Sequence, residues 1–235
     1  MQPPVTLKEW TIEQGVFQPF PLTHLSLECW QIIGALRRLQ WNKHLLYLRG
    51  SIVEESSPHP KADLDVVLIG DTDRSEELQE ALQFSNRPLD IHYFTPDSLA
   101  SSLRFQLLLS TRSIPVNGPV YPFHPIPANK STAQQLWREY NPIGMYSVLS
   151  NHPIVQVCQT KVLIRSVGII MLLQDHRFSR HLQTCLHWIQ HNAPQDMHHA
   201  YQQLWYHMNT QWAFNDNFSL RSIQDWLQQK SKELL

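Results

Sequence analysis

The chain has 235 residues, 42% of them hydrophobic, which suffices for one large or two modest domains with apolar cores of their own. With 19 Lys and Arg against 20 Asp and Glu, its net charge of −1 excludes a broad electrostatic attraction to nucleic acid and leaves only a local patch for that purpose. Its three cysteines, Cys29, Cys158 and Cys185, are odd in number and far apart, so reduced core residues in a cytoplasmic protein are expected rather than a disulfide framework.

Met1-Gln2-Pro3-Pro4 runs into polar sequence, so no secretory signal is expected, and the longest apolar run, Val167 to Leu173, is too short to span a membrane. The first predicted helix covers about Thr23 to Leu39, followed by a strand at His44 to Leu48 and the turn Gly50-Ser51. A strand at Leu64 to Ile69, a helix over Arg74 to Phe84, a strand at Leu89 to Phe94 and a helix over Pro96 to Ser110 come next. This alternation predicts a small mixed sheet with helices packed on one face. The segment Val120 to Pro127 carries Pro122, Pro125 and Pro127, which remove donors and restrict their neighbours, so it reads as a linker. Beyond it the pattern is helical, near Ser131 to Tyr140, Pro153 to Leu173, Phe178 to His191, Pro194 to Thr210 and Leu220 to Leu234. Pro153 and Pro194 suit a first helical turn, and Ser219 suits the N-cap of the last helix. The fold class expected is α+β, with a mixed-sheet domain over residues 1–127 and an all-α domain over 128–235.

The chemistry concentrates around Gly50. Asp63 and Asp65 stand at alternate positions of one strand, so they project from the same face. Neighbouring carboxylates repel unless a cation sits between them, and hard oxygen ligands suit magnesium, which completes its shell with waters and substrate phosphates. The alternative is that Asp63 caps a strand and Asp65 is a solvated turn residue, but Asp65 interrupts an apolar run, where a buried carboxylate needs a partner. A third acid, Asp90, lies on the next strand, with His92 on the same face.

Gly50-Ser51, Asp63-x-Asp65 and the strand-borne Asp90 together resemble the signature of the DNA polymerase β-type nucleotidyltransferase superfamily, over about Gln40 to Tyr121. The segment Pro115 to Tyr121, with Gly118-Pro119-Val120-Tyr121, looks like the edge segment these enzymes carry after the third acid. The helical remainder is broadly similar to the second domain of the small antibiotic nucleotidyltransferases. The loop Ile52 to Lys61 departs from the pattern, being a little long and lacking the usual Arg-Gly ending. The resemblance implies that Asp63, Asp65 and Asp90 hold two Mg2+ ions, that Asp90 helps to deprotonate the acceptor hydroxyl, and that Gly50 and Ser51 bind the triphosphate. The implied reaction transfers a nucleoside monophosphate from a nucleoside triphosphate such as ATP to an acceptor and releases pyrophosphate. A small aminoglycoside-like molecule fits the near-neutral charge as acceptor; transfer RNA or protein, as in toxin-type members, and a non-catalytic module of the same fold are the alternatives.

Lys161 and Arg165 lie four apart on an otherwise apolar helix, where like charges repel. Two readings stand: both snorkel to water, or an anion lies between them, the resemblance suggesting triphosphate. Arg49 could pair with Glu54 or Glu55. His187 and His191 are four apart on a helix but lack the Glu of a zinc-peptidase motif, so the thirteen histidines do not make a zinc site by spacing.

Overall fold

The computed structural model describes residues 9–20, 25–39, 41, 43–55, 62–117, 120–140, 153–210 and 217–234. Gly118 and Pro119 of the expected edge segment, and residues 56–61 of the loop before Asp63, lie outside them. The described residues form two compact units: Phe17–Ile126, and the segments on either side of it.

The first unit is built on a four-stranded sheet of β3 (Leu45–Arg49), β4 (Leu64–Ile69), β5 (Leu89–Phe94) and β6 (Ser113–Asn117), following the short pair β1 (Ile12–Glu13) and β2 (Val16–Phe17) within which the unit boundary falls. The order across the sheet is β5-β4-β3-β6, with β4 and β5 parallel and the other pairs antiparallel. A mixed sheet is therefore present as expected. Its helices, however, cover both faces. Leu46, Leu48, Leu64, Val66 and Leu68 pack with Ile32, Ile33 and Leu36 of α1 (Leu27–Arg37), Ile52 of α2 (Ser51–Glu54) and Leu78 of α3 (Ser75–Ala81). On the opposite face Tyr47, Val67 and Ile69 meet Leu99 of α4 (Pro96–Ala100) and Phe105 and Leu109 of α5 (Leu103–Arg112). The strands carry apolar side chains at successive positions because both faces are covered, as period-two geometry requires.

Two local corrections have simple causes. The helix expected over Pro96 to Ser110 is two helices, because the hydroxyl of Ser102 accepts from the Phe105 N–H and starts a new one. The first helix begins only after Ser26, whose hydroxyl accepts from the Cys29 N–H.

In the second unit α6 (Lys130–Tyr140), α7 (Pro153–Asp175), α8 (Leu182–Asn192), α9 (Gln195–Thr210) and α10 (Asn217–Leu234) form the helical part. α10 starts earlier than expected, which places Ser219 inside its first turn instead of at its N-cap. The β1 segment is tied to these helices: Trp10 donates its N–H to the Phe178 carbonyl at 2.8 Å and packs edge-on against the Phe178 ring, and Glu9 pairs with Arg177. Over Val157–Asp175 α7 is long and apolar enough to cross a membrane, and 61% of that stretch is buried within the protein, as for a core helix. Cys29 and Cys185 are free and buried, as expected of core thiols, whereas Cys158 is free but exposed on α7.

Candidate active site

The strand register builds the site. Arg49, the last residue of β3, is paired across the sheet with Asp65, the second residue of β4, and Asp65 is paired with Asp90, the second residue of β5. Three charged side chains thus stand in one row on the face that carries Tyr47 and Val67. His92, two residues along β5, joins them on the same face. Phe105 of α5 forms the wall, with its ring 5.1 Å from the His92 ring and 5.8 Å from the Arg49 guanidinium carbon.

At the end of β3 the chain turns through Gly50 into α2. Gly50 has φ +80°, and a Cβ there would run into Asp65 Oδ2. Both the backbone conformation and the approach of the carboxylate require glycine. Ser51, directly after Gly50, opens α2 at a half-buried position.

The row is electrostatically uneven. Arg49 Nη2 lies 2.7 Å from Asp65 Oδ1, 4.0 Å from Asp90 Oδ2 and 3.2 Å from His92 Nε2. Burial nevertheless pushes the Asp65 carboxyl up to about 6, against the lowering pull of Arg49. The hydrogen bond from His92 Nε2, 3.2 Å from Asp90 Oδ2, holds Asp90 down at about 2. One proton between these two acids therefore resides on Asp65. His92 Nε2 can accept from Arg49 or donate to Asp90, not both at once, so the protein's own groups leave one of these bonds unmade.

The donor set fits a divalent cation. Asp65, Asp90 and His92 each offer an atom within 4.8 Å of the others'. Two carboxylates provide hard oxygen ligands, and the imidazole adds a nitrogen that Mn2+ or Zn2+ accepts more readily than Mg2+. Asp63 stands outside this group, exposed and immediately before β4. Arg49 pairs with Asp65 rather than with Glu54 or Glu55; Glu54 is instead 3.3 Å from Arg112, which is buried. Lys161 and Arg165 both lie on α7 of the helical unit, where Arg165 Nε donates to the Arg180 carbonyl at 3.2 Å. The rings of His187 and His191 lie tilted to each other on α8 with centroids 4.3 Å apart, and they share no three-ligand group among the described residues.

Sequence reasoning missed Arg49 as part of the site. Its signal was available, because a strand ending in Arg49 and an antiparallel neighbour beginning near Asp65 place the two opposite each other.

No known family profile and no curated protein matches the sequence. Among solved structures the chain is similar to spectinomycin adenyltransferase AAD(9) from Enterococcus faecialis, determined with ATP and spectinomycin. The identity is 12%, the TM-score is 0.53, and the match covers 86% of this chain and 99% of that one. The likeness establishes a nucleotidyltransferase fold with a helical C-terminal part, in agreement with the fold that the resemblance to the polymerase β-type superfamily implied.

Proposed function

We propose that this protein is a metal-dependent nucleotidyltransferase that moves a nucleoside monophosphate from a nucleoside triphosphate such as ATP to an acceptor hydroxyl, releasing pyrophosphate. The observation that supports it best is the meeting of Asp65, Asp90 and His92 beside the obligatory glycine at position 50. Each of these residues has a chemical task in that reaction, and the fold is one that an ATP-bound adenyltransferase also uses.

Asp65 and Asp90 would hold Mg2+, with Asp63 at the exposed head of β4 as the further carboxylate for a second ion. An ion held there would supply charge that favours loss of the acceptor hydroxyl's proton and neutralises the phosphates. The acceptor oxygen forms a bond to the α-phosphorus while the bond from that phosphorus to the bridging oxygen breaks, and pyrophosphate departs with the electron pair. Asp90 takes the acceptor's proton, and His92, 3.2 Å away, stabilises Asp90 as an anion until then. Gly50 lets the backbone approach the phosphates, and Ser51 donates its hydroxyl to them.

From the helical unit, residues 128–235 in functional terms, we assign Lys161 and secondarily Arg165 to the phosphates. Arg165 ranks second because its Nε already serves the Arg180 carbonyl. The acceptor we favour is a small aminoglycoside-like molecule, which the spectinomycin of the structural neighbour supports. Three free thiols suit action in the cytoplasm.

The test is pyrophosphate release from labelled triphosphate with Mg2+ and an acceptor panel. Asp65→Asn and Asp90→Asn are each expected to lower turnover by roughly a hundredfold or more. Turnover that survives both substitutions rules the mechanism out.

A further inference from the structure

The guanidinium of Arg49 stands where the cation of the proposed site would stand. A single nitrogen, Nη2, faces Asp65 Oδ1 at 2.7 Å, His92 Nε2 at 3.2 Å and Asp90 Oδ2 at 4.0 Å. These three side chains are also the group whose ligand atoms converge within 4.8 Å. A carboxylate lone pair that receives an N–H cannot at the same time bind a metal ion, and a guanidinium keeps its charge at any working pH. The Arg49 side chain is 15% exposed and its Nε is buried with no hydrogen-bond partner, so it is held by the acids and not by a cage of its own. Phe105 offers the guanidinium only a ring, 5.8 Å from its carbon.

We infer that Arg49 is a tethered competitor for the divalent ion: it neutralises Asp65 and Asp90 in the metal-free protein and must leave them before an ion can bind. The inference rests on the metal-site reading proposed above. Competition from a covalently attached cation lowers the affinity for free metal without changing the ligands. An ion arriving together with a triphosphate meets a weaker obstacle, because the displaced guanidinium, one residue from the Gly50-Ser51 turn, then has phosphate to pair with. Arg49 is by this account a positioning residue that couples metal entry to nucleotide entry.

The experiment is titration of the nucleotide-free full chain with Mn2+, reading free ion by electron paramagnetic resonance. Arg49→Met is expected to bind Mn2+ at least about tenfold tighter than the unsubstituted protein, since a unit positive charge within 4 Å of the ligands is removed. Equal or weaker binding by Arg49→Met overturns the inference and leaves the metal site standing, whereas no binding by either protein overturns both. Crystals of the unsubstituted protein soaked in MnCl2 give a second reading that does not depend on the variant folding. Anomalous signal between Asp65 and Asp90, with Nη2 withdrawn from Asp65, is the expected result. The same signal with the 2.7 Å pair intact overturns the inference.

Discussion

Asp65 carries a charge that its position in the fold opposes. Burial lifts its carboxyl to about 6 even with Arg49 beside it, so the folded protein holds a proton there that the unfolded chain releases near pH 4. A raised acid favours folding when protonated. Its contribution is fully present below about pH 4 and is lost as pH rises through about 6. Asp90 runs the opposite way: its carboxyl is depressed to about 2 by His92, so its stabilisation is present above about pH 4 and lost only as pH falls toward 2. Asp65→Asn keeps the shape and removes the titration. Without added metal, its melting temperature relative to the unsubstituted protein should rise between pH 4 and pH 7.5, by on the order of 5 °C. A pH-independent difference would show that Asp65 is not the strained acid. Asp65 and Asp90 were both legible as site candidates, one as a carboxylate breaking an apolar strand and the other as a strand acid. Their unequal state was not legible, because it depends on how deeply each strand end is buried and on where His92 reaches.

The same substitution at two helical glycines should have opposite outcomes, because helix propensity and packing compete and the surroundings decide. Alanine is preferred over glycine in a helix by roughly 1 kcal/mol. At Gly34 of α1 a new Cβ meets nothing within 4 Å, so Gly34→Ala should stabilise by about 0.5–1 kcal/mol. At Gly168 of α7 the Cβ would collide with the Ser179 carbonyl oxygen, a backbone atom that cannot turn aside as a side chain would. Overpacking there costs about 1–3 kcal/mol and outweighs propensity, so Gly168→Ala should lower the melting temperature while Gly34→Ala raises it. Two shifts of the same sign would refute this account of α7. Neither glycine announces its surroundings in sequence, whereas the elements themselves were largely readable. The apolar runs of β3, β4 and β5 fall where the pattern put them. The β1–β2 pair was missed because two-residue strands carry no periodicity, and its turn relies on Gln14 and Gly15 at positive φ. The four residues of α2 read as loop for the same reason. The second helical layer over Tyr47 and Val67 was missed because an apolar strand does not say how many helices cover it.

Charge across the whole chain bears on the acceptor. Binding a nucleic acid requires several basic side chains free to replace its counterions. This chain has 19 basic residues against 20 acidic ones, and many of the described ones are already paired: Arg49 with Asp65, Arg74 with Glu77, Arg87 with Glu28, Arg112 with Glu54, Arg177 with Glu9 and Lys230 with Glu233. Arg37, which lies near Arg38 and Lys43 in the sequence, donates its Nε–H to the Val116 carbonyl at 2.9 Å. Under the proposed function, the near-neutral charge favours a small cationic acceptor over a transfer RNA. Incubation with α-labelled triphosphate, Mg2+ and cell extract at about 0.15 M salt should put the label on small molecules that a cation exchanger retains. Label on the transfer RNA fraction, lost when Asp90→Asn replaces the unsubstituted chain, would instead assign the acceptor to nucleic acid. It would also require a basic surface formed by residues other than these pairs, detectable as a binding constant that falls steeply as salt is raised.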